Sequence, residues 1–268
     1  SALTIANAGA NYQAGTLSAT GGTGSGFTGT YGISATTASY NIGGTNTTAQ
    51  AGNLLVNGVS KGAYPVKFKT ASYSIGGTNT TARAGNLVVG STTVGSYTVN
   101  AVVASVSIGG DNTGASAGNF NFNGATGGSF AVNGSGAITG FTISSTTKFS
   151  SAPTIAASSG SLGNGTFTAV LSVTGQIQSI SVSDNTYYTS VPTLSSSTTF
   201  GNGTVTVVLA TTGQLQSISV NDTTKYPTTP TITSSSSFGN ATINAVLNNT
   251  GIISSTVISA AGVYTVAP

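Results

Sequence analysis

No cysteine, histidine, glutamate, methionine or tryptophan occurs in this 268-residue chain. Each absence closes a route to function. Without cysteine there is no disulfide framework and no thiolate metal site. Without histidine there is no imidazole to act as a general base, and Asp111, Asp184 and Asp222 stand too far apart in sequence to form an evident carboxylate pair. Hard cations gather several carboxylates, and a serine nucleophile needs a histidine or lysine partner. The expectation is a non-enzymatic protein with no catalytic, cofactor-binding or metal-binding residues.

Charge is equally scarce. Lys61, Lys67, Lys69, Arg83, Lys148 and Lys225 oppose the three aspartates, so the pI of 9.2 reflects a surplus of three charges rather than a basic surface. Only Lys61, Lys67 and Lys69 lie close together, which reads as a solvated cluster. Nucleic-acid binding needs far more clustered cations to neutralise phosphates. No apolar stretch approaches the roughly 20 residues of a membrane helix, so membrane insertion is not expected either.

What the chain does contain is hydrophobic residues at 38% and a mean hydropathy of +0.22, in short runs between Gly, Ser, Thr and Asn. This mixture favours short strands and frequent turns over helices or disorder. Few side chains titrate near neutrality, so the surface should respond weakly to salt and pH. Strand edges are usually guarded by charge. A β-rich chain with almost none looks built to assemble.

Two repeats organise the sequence. Gly175, Gly213 and Gly251 open 38-residue units; Tyr188, Tyr226 and Tyr264 follow, then Pro192, Pro230 and Pro268. A divergent copy opens at Gly136 and carries Phe149 and Pro153. Val205, Val207 and Leu209 alternate along one face, as do Phe167, Ala169 and Leu171, and Ile243, Ala245 and Leu247. Alternation with period two marks a half-buried strand. The Thr-Gly pairs that follow predict tight hairpins into return strands, and Pro192 and Pro230, each before a short apolar segment, predict a strand start or edge. A second repeat of 33 residues relates Tyr40–Leu54 to Tyr73–Leu87 and, more weakly, to Val106–Phe120. It reads as strand, Gly-Gly turn, polar excursion, Ala-Gly-Asn turn and strand.

The predicted fold is all-β, built as tandem small antiparallel β modules or an irregular β-solenoid. Residues 1–35 read as a partial 38-type unit, 36–133 as three 33-residue repeats, and 134–268 as three 38-residue repeats with a partial fourth. Because the chain opens and closes in mid-repeat and starts at Ser1, it is expected to be a processed product or a segment of a longer fibrous polypeptide.

The Gly-Gln-Ile-Gln-Ser-Ile-Ser-Val lead at Gly175, the Tyr-to-Pro spacing and the Gly-Asn-Gly-Thr turn at Gly163 resemble repeats of bacteriophage virion proteins, notably tail-fibre and appendage proteins of marine and cyanobacterial phages. The similarity covers about residues 1–35 and 134–268. It departs from the usual Gly-x-Gly-Tyr turn: Tyr188 follows Asn185-Thr186-Tyr187, and Tyr226 follows Thr223-Thr224-Lys225. The resemblance implies a β-rich, homo-oligomeric fibre or appendage subunit at the virion surface or otherwise extracellular, one that reaches host cells; a host-surface glycan is a candidate partner.

Two alternatives come from the residues. Tyr187, Tyr188 and Tyr226 beside amides and hydroxyls are candidates for sugar stacking, as in a carbohydrate-binding module; packing of each ring over its own unit is the competing account. Sequons at Asn46, Asn79, Asn133, Asn164, Asn202, Asn221, Asn240 and Asn248 are candidate N-glycosylation sites for a pilus-like cellular filament. Asp184 and Asp222, one unit apart, read as repeated turn caps.

Overall fold

The computed structural model describes residues 4–20 and 22–264, and these are all-β, with no helix among them. The strands are β1 (Gly15–Leu17), β2 (Gly24–Gly44), β3 (Gly52–Val56), β4 (Val59–Tyr64), β5 (Val66–Gly77), β6 (Gly85–Val89) and β7 (Thr92–Asn100). Next come β8 (Val103–Gly109), β9 (Gly118–Phe122), β10 (Ala125–Val132), β11 (Ile138–Ile143), β12 (Ile155–Ala157), β13 (Thr166–Leu171) and β14 (Gln176–Val182). The last six are β15 (Leu194–Ser196), β16 (Gly203–Leu215), β17 (Lys225–Tyr226), β18 (Ile232–Ser234), β19 (Ala241–Leu247) and β20 (Ile252–Tyr264). They form several small antiparallel sheets and no closed barrel. Pro268, the last proline of the 38-residue series, lies outside the described residues.

Two compact units share the chain. The first comprises Ser1–Phe68, Tyr187–Ser190 and Ala210–Pro268. Here β1, β17, β19 and β20 all pair with β2, while β3 lies between β18 and β4. Its core gathers Leu54, Val56, Tyr64 and Val66 of the first 33-residue copy with Leu215, Tyr226, Ala241 and Ile243 of the 38-residue series. The second unit comprises Lys69–Thr186 and Val191–Leu209. Its sheets run β11-β10-β9-β12, β13-β8 and β14-β7-β6-β15. One of its cores holds Leu87, Val94, Tyr97 and Ile177, the other Phe120, Phe122, Phe130 and Ile138.

The sequence blocks are interleaved in space. Each 33-residue copy is completed by a 38-type copy rather than by its chain neighbour. In the first unit, Ile243 of β19 faces Ile42 of β2. In the second, Phe167 of β13 faces Ile108 of β8. The alternating faces emerge as expected: Ile243 and Ala245 are buried, as are Val207 and Ala169.

The expected Thr-Gly hairpins do not form. β13 pairs with β8 and β14 with β7, so the segments on either side of Gly175 never return on each other, and β16 runs straight through Gly213. These glycines serve close approach instead. Gly213 exchanges backbone hydrogen bonds with Ala49 at 2.8 and 2.9 Å, and Gly175 does the same with Ala82. A Cβ at Gly213 would collide with the Lys67 carbonyl oxygen, and one at Gly175 with that of Asn100. The Ala-Gly-Asn segments are likewise not turns. Gly52, Gly85 and Gly118 open β3, β6 and β9.

Pro192 and Pro230 stand where expected, and Pro153 joins them. β12, β15 and β18 each begin two residues after Pro153, Pro192 and Pro230, and lie at sheet edges against β9, β6 and β3. An edge tolerates the missing N–H.

Candidate functional site

The polar residues that recur in every copy tie the two repeat series together. After each Gly-Gly pair the chain turns through Asn46, Asn79 or Asn112, whose φ values are 50°, 49° and 46°. Asparagine tolerates this left-handed conformation better than most residues. Its side chain then behaves like a peptide group of a neighbouring strand. Asn46 Oδ1 accepts from the Leu215 N–H at 2.8 Å, and its Nδ2 donates to the Leu215 carbonyl at 3.1 Å. Asn79 holds Ile177 the same way at 2.9 and 3.3 Å, and Asn112 holds Ile138 at 3.0 Å in both directions.

The clamp is reciprocated. Asn240 Oδ1 accepts from the N–H groups of Thr47 and Thr48 at 2.8 and 3.1 Å. Asn202 does so for Thr80 and Thr81 at the same distances, and Asn164 accepts from the Thr113 N–H at 2.7 Å. Sequence reasoning saw several of these asparagines only as sequons. The signal for the clamp was their fixed place after Gly-Gly and within Gly-Asn.

The aromatic residue that follows in the 33-residue copies marks a second joint. Tyr64 donates to the Gln50 carbonyl at 2.6 Å and shares hydrogen bonds with Ser234 and Ser236 at 2.6 and 3.0 Å. Tyr97 meets Ser196 and Thr198 in the same way. In the third copy Phe130 replaces the tyrosine, and Phe141 stacks edge-on to Phe120 and Phe167.

An ionic cluster ties the first 33-residue copy to the 38-residue series within the first unit. Lys61 Nζ lies 2.8 Å from Asp222 Oδ1, and the Asp222 side chain is 1% exposed. The Tyr226 hydroxyl donates to Asp222 Oδ2 at 2.6 Å, and the Thr224 N–H donates to Oδ1 at 3.1 Å. Burial alone would push the Asp222 carboxyl up. Hydrogen bonds from Lys61, Tyr226 and Thr224 outweigh it and hold the group well below the usual carboxylate range. Burial, then the bond to Asp222, pushes the Tyr226 phenol up, and the same carboxylate raises the Lys61 ammonium. Asp184 caps its own turn through the Thr186 N–H at 2.9 Å, as Asp222 caps Thr224. Lys69 reaches Asn185 Oδ1 at 3.4 Å.

The candidate sugar-stacking tyrosines are placed differently from one another. Tyr226 is 8% exposed and its ring belongs to the core. Tyr187 and Tyr188 are half-buried, and Tyr188 exchanges backbone hydrogen bonds with Phe68 at 2.8 Å in each direction. Among the sequon asparagines, Asn79 is buried. The Nδ2 groups of Asn46, Asn79, Asn202, Asn240 and Asn248 donate to protein acceptors. Asn164 is engaged through Oδ1, and Asn133 closes its own turn to Ser135 and Ala137. Asn221 is exposed.

Two shallow grooves open on the second unit. One, of about 300 Å³, is lined by Asn119, Thr126, Ser129, Thr142, Ser144 and Ser158. The other, of about 360 Å³, is lined by Tyr73, Ile75, Gln178, Ile180 and Val182 among others. Neither carries a carboxylate or an amine. Among the described residues no group of His, Cys, Asp or Glu could hold a metal ion, and no helix is long and apolar enough to cross a membrane.

No protein-family model matches this chain, and no curated protein or solved structure is detectably similar to it.

Proposed function

We propose that this protein is a structural, non-enzymatic subunit of a phage fibre or appendage, self-assembling and able to contact the host surface. In this reading the fold is a tandem of small β modules, each made by one 33-residue copy and one 38-type copy. The observation that carries it is the recurrence of one joint: Asn46 on Leu215, Asn79 on Ile177 and Asn112 on Ile138. A protein that repeats its joints and shares each core between two segments is made as building material. Stability in such arrays comes from contacts between segments rather than from one large core.

The joints also suit a particle exposed to changing surroundings. They are neutral amides and hydroxyls, whose hydrogen bonds neither titrate near neutral pH nor weaken by ionic screening. Commitment of five sequon Nδ2 groups to protein acceptors gives the glycosylated-filament alternative less support. The core position of Tyr226 does the same for a carbohydrate-binding module.

Immunogold electron microscopy with antibodies against the chain tests the proposal. Label on fibres or appendages of phage particles is expected. Label on cellular filaments, or only on soluble material, would overturn it.

A further inference from the structure

Strand β2 changes partner at a bulge. Tyr226 and Lys225 of β17 pair with Ala35 and Thr36, and Leu247 and Val246 of β19 pair with Thr37 and Ser39. The register shifts between Val246 and Leu247, which leaves Ala38 as an extra residue in β2. On a regular strand, side chains three residues apart point to opposite faces. The bulge turns Thr37 and Tyr40 to the same side instead. Thr37 is 4% exposed and Tyr40 half-buried, while Ala38 and Ser39 between them are exposed.

The third 33-residue copy has the same bulge and different chemistry. Its register shifts where Val170 faces Ser105 and Leu171 faces Val103, and the residues turned inward are Val103 and Val106, which pack in an apolar core. The exchange is concerted. Thr37, Tyr40, Asp222 and Tyr226 correspond in the repeats to Thr70, Tyr73, Asp184 and Tyr188, and then to Val103, Val106, Ser145 and Phe149. Ser145 keeps only the turn cap, its Oγ accepting from the Thr147 N–H at 3.3 Å. Carboxylate, phenols and threonine hydroxyl disappear together, as members of one polar network would.

Part of that network has no protein partner. Thr37 Oγ1 and Tyr40 Oη are buried and neighbour each other without closing a hydrogen bond, and neither bonds to any other protein group among the described residues. Tyr73 Oη is buried in the same way in the second unit, where Thr70 Oγ1 reaches Asp184 Oδ2 at 3.4 Å. A buried hydroxyl left unmet costs more stability than the methyl group that could replace it. Val103 and Val106 show that the fold accepts apolar residues at both positions.

We propose that the first unit holds an internal water molecule that bridges Thr37 Oγ1 and Tyr40 Oη beside the Asp222 carboxylate. The surroundings select water. Lys61 already balances Asp222, so the ligand is neutral. Two hydroxyls ask for a group that both donates and accepts. Neither oxygen is open to solvent, so the ligand is small. Internal waters are held by polar groups of this kind that would otherwise go unsatisfied. Through the water, the cluster formed by Lys61 of β4 and Tyr226 of β17 extends to β2 at the place where that strand changes partner. The proposal rests on burial and on the comparison of repeats, and stands whether or not the chain builds a fibre.

Thr37→Val keeps the shape of the side chain, and urea unfolding of the full chain gives the sign of its effect. An unmet hydroxyl would be better replaced, and the variant would be more stable. A hydroxyl bonded to water should be missed, with the unfolding equilibrium constant rising about fivefold. Tyr40→Phe should act in the same direction. The double variant should lose less than the two single losses combined, because one water serves both groups. Magnetic relaxation dispersion of the solvent should count one long-lived water more in the unaltered protein than in the double variant. If the variants fail to fold, a diffraction map of the unaltered protein decides, and water density between the two oxygens is expected. A more stable Thr37→Val, strictly additive losses, an unchanged count of long-lived waters, or a direct bond between the two hydroxyls would each overturn the proposal.

Discussion

Gly175–Val182 and Gly213–Val220 are the same octapeptide but for Ile177 against Leu215. In the second unit that octapeptide supplies β14, which pairs with β7 as far as Val182. In the first unit strand structure ends at Leu215, and residues 216–220 form no ladder. The difference lies in the partner. β7 presents Thr98 opposite Ser179, and the two hydroxyls bond at 2.7 Å. The equivalent of Thr98 in the first unit is Pro65. Gln216 donates to the Pro65 carbonyl at 3.0 Å, so that edge of Pro65 faces the octapeptide. The N–H that would continue the ladder points the same way, and proline lacks it.

What replaces the ladder is ionic. Lys61 stands where the second unit buries Val94, and it anchors the irregular segment through Asp222. β-structure in this molecule is therefore a property of pairs of segments, as expected when strand propensity reports mainly the fit to a neighbour.

The sharpest way to break the contrast is Thr98→Pro, which should give β14 the irregular course of residues 216–220. A loss of about 2–4 kcal/mol is expected in urea unfolding, from a removed ladder bond and an orphaned carbonyl, with faster amide exchange at Ile180–Val182. An unchanged midpoint would show that Pro65 is not the cause. Next is Asp222→Asn, which should loosen residues 216–226 in amide exchange and leave β14 untouched.

That variant also alters the response to acid. The folded-state affinity of Asp222 for a proton is depressed, so as pH falls the unfolded chain is protonated first. The stabilisation is whole above about pH 4, the ordinary carboxylate value, and is lost progressively below it. Wild-type protein should lose stability below pH 4 more steeply than Asp222→Asn, as followed by urea midpoints between pH 2 and 6.

A smaller gain is expected from Pro65→Thr, about 0.5–1.5 kcal/mol if a ladder bond forms as in the second unit. Slowed exchange at Ser217–Val220 would report it. Smallest of all is Leu215→Ile, which makes the octapeptides identical. A change below about 1.5 kcal/mol and no new strand is the expected result, since such swaps nearly conserve volume.

The alternating faces of β13, β16 and β19 were legible because a two-residue period needs no knowledge of the partner. So were the short strands after Pro192 and Pro230. The pairing itself was not. Ile243 finds Ile42 across most of the chain, and no local pattern encodes that. Gly213 misled for a related reason: glycine marks either a positive φ or a crowded backbone, and only the position of the Lys67 carbonyl distinguishes them. Asp222 was legible as a turn cap, but its bond to Lys61 depends on the same long-range pairing. Asn46, Asn79 and Asn112 recur visibly, yet their grip on another segment emerges only in the fold.

That grip has a consequence for how the chain finds its native state. A side-chain amide that imitates a rung of the ladder locks two segments against sliding by one residue. Every copy carries the same rung, however, so the rungs cannot tell correct partners from their near-identical siblings. Selection between siblings falls to residues that do not repeat. Pairing the wrong copy with Gly213–Leu247 would set Asp222 against Val94 instead of Lys61. Phe120 and Phe122 would overfill a site shaped for Leu54 and Val56. The few irregular side chains act as addresses in an otherwise uniform text.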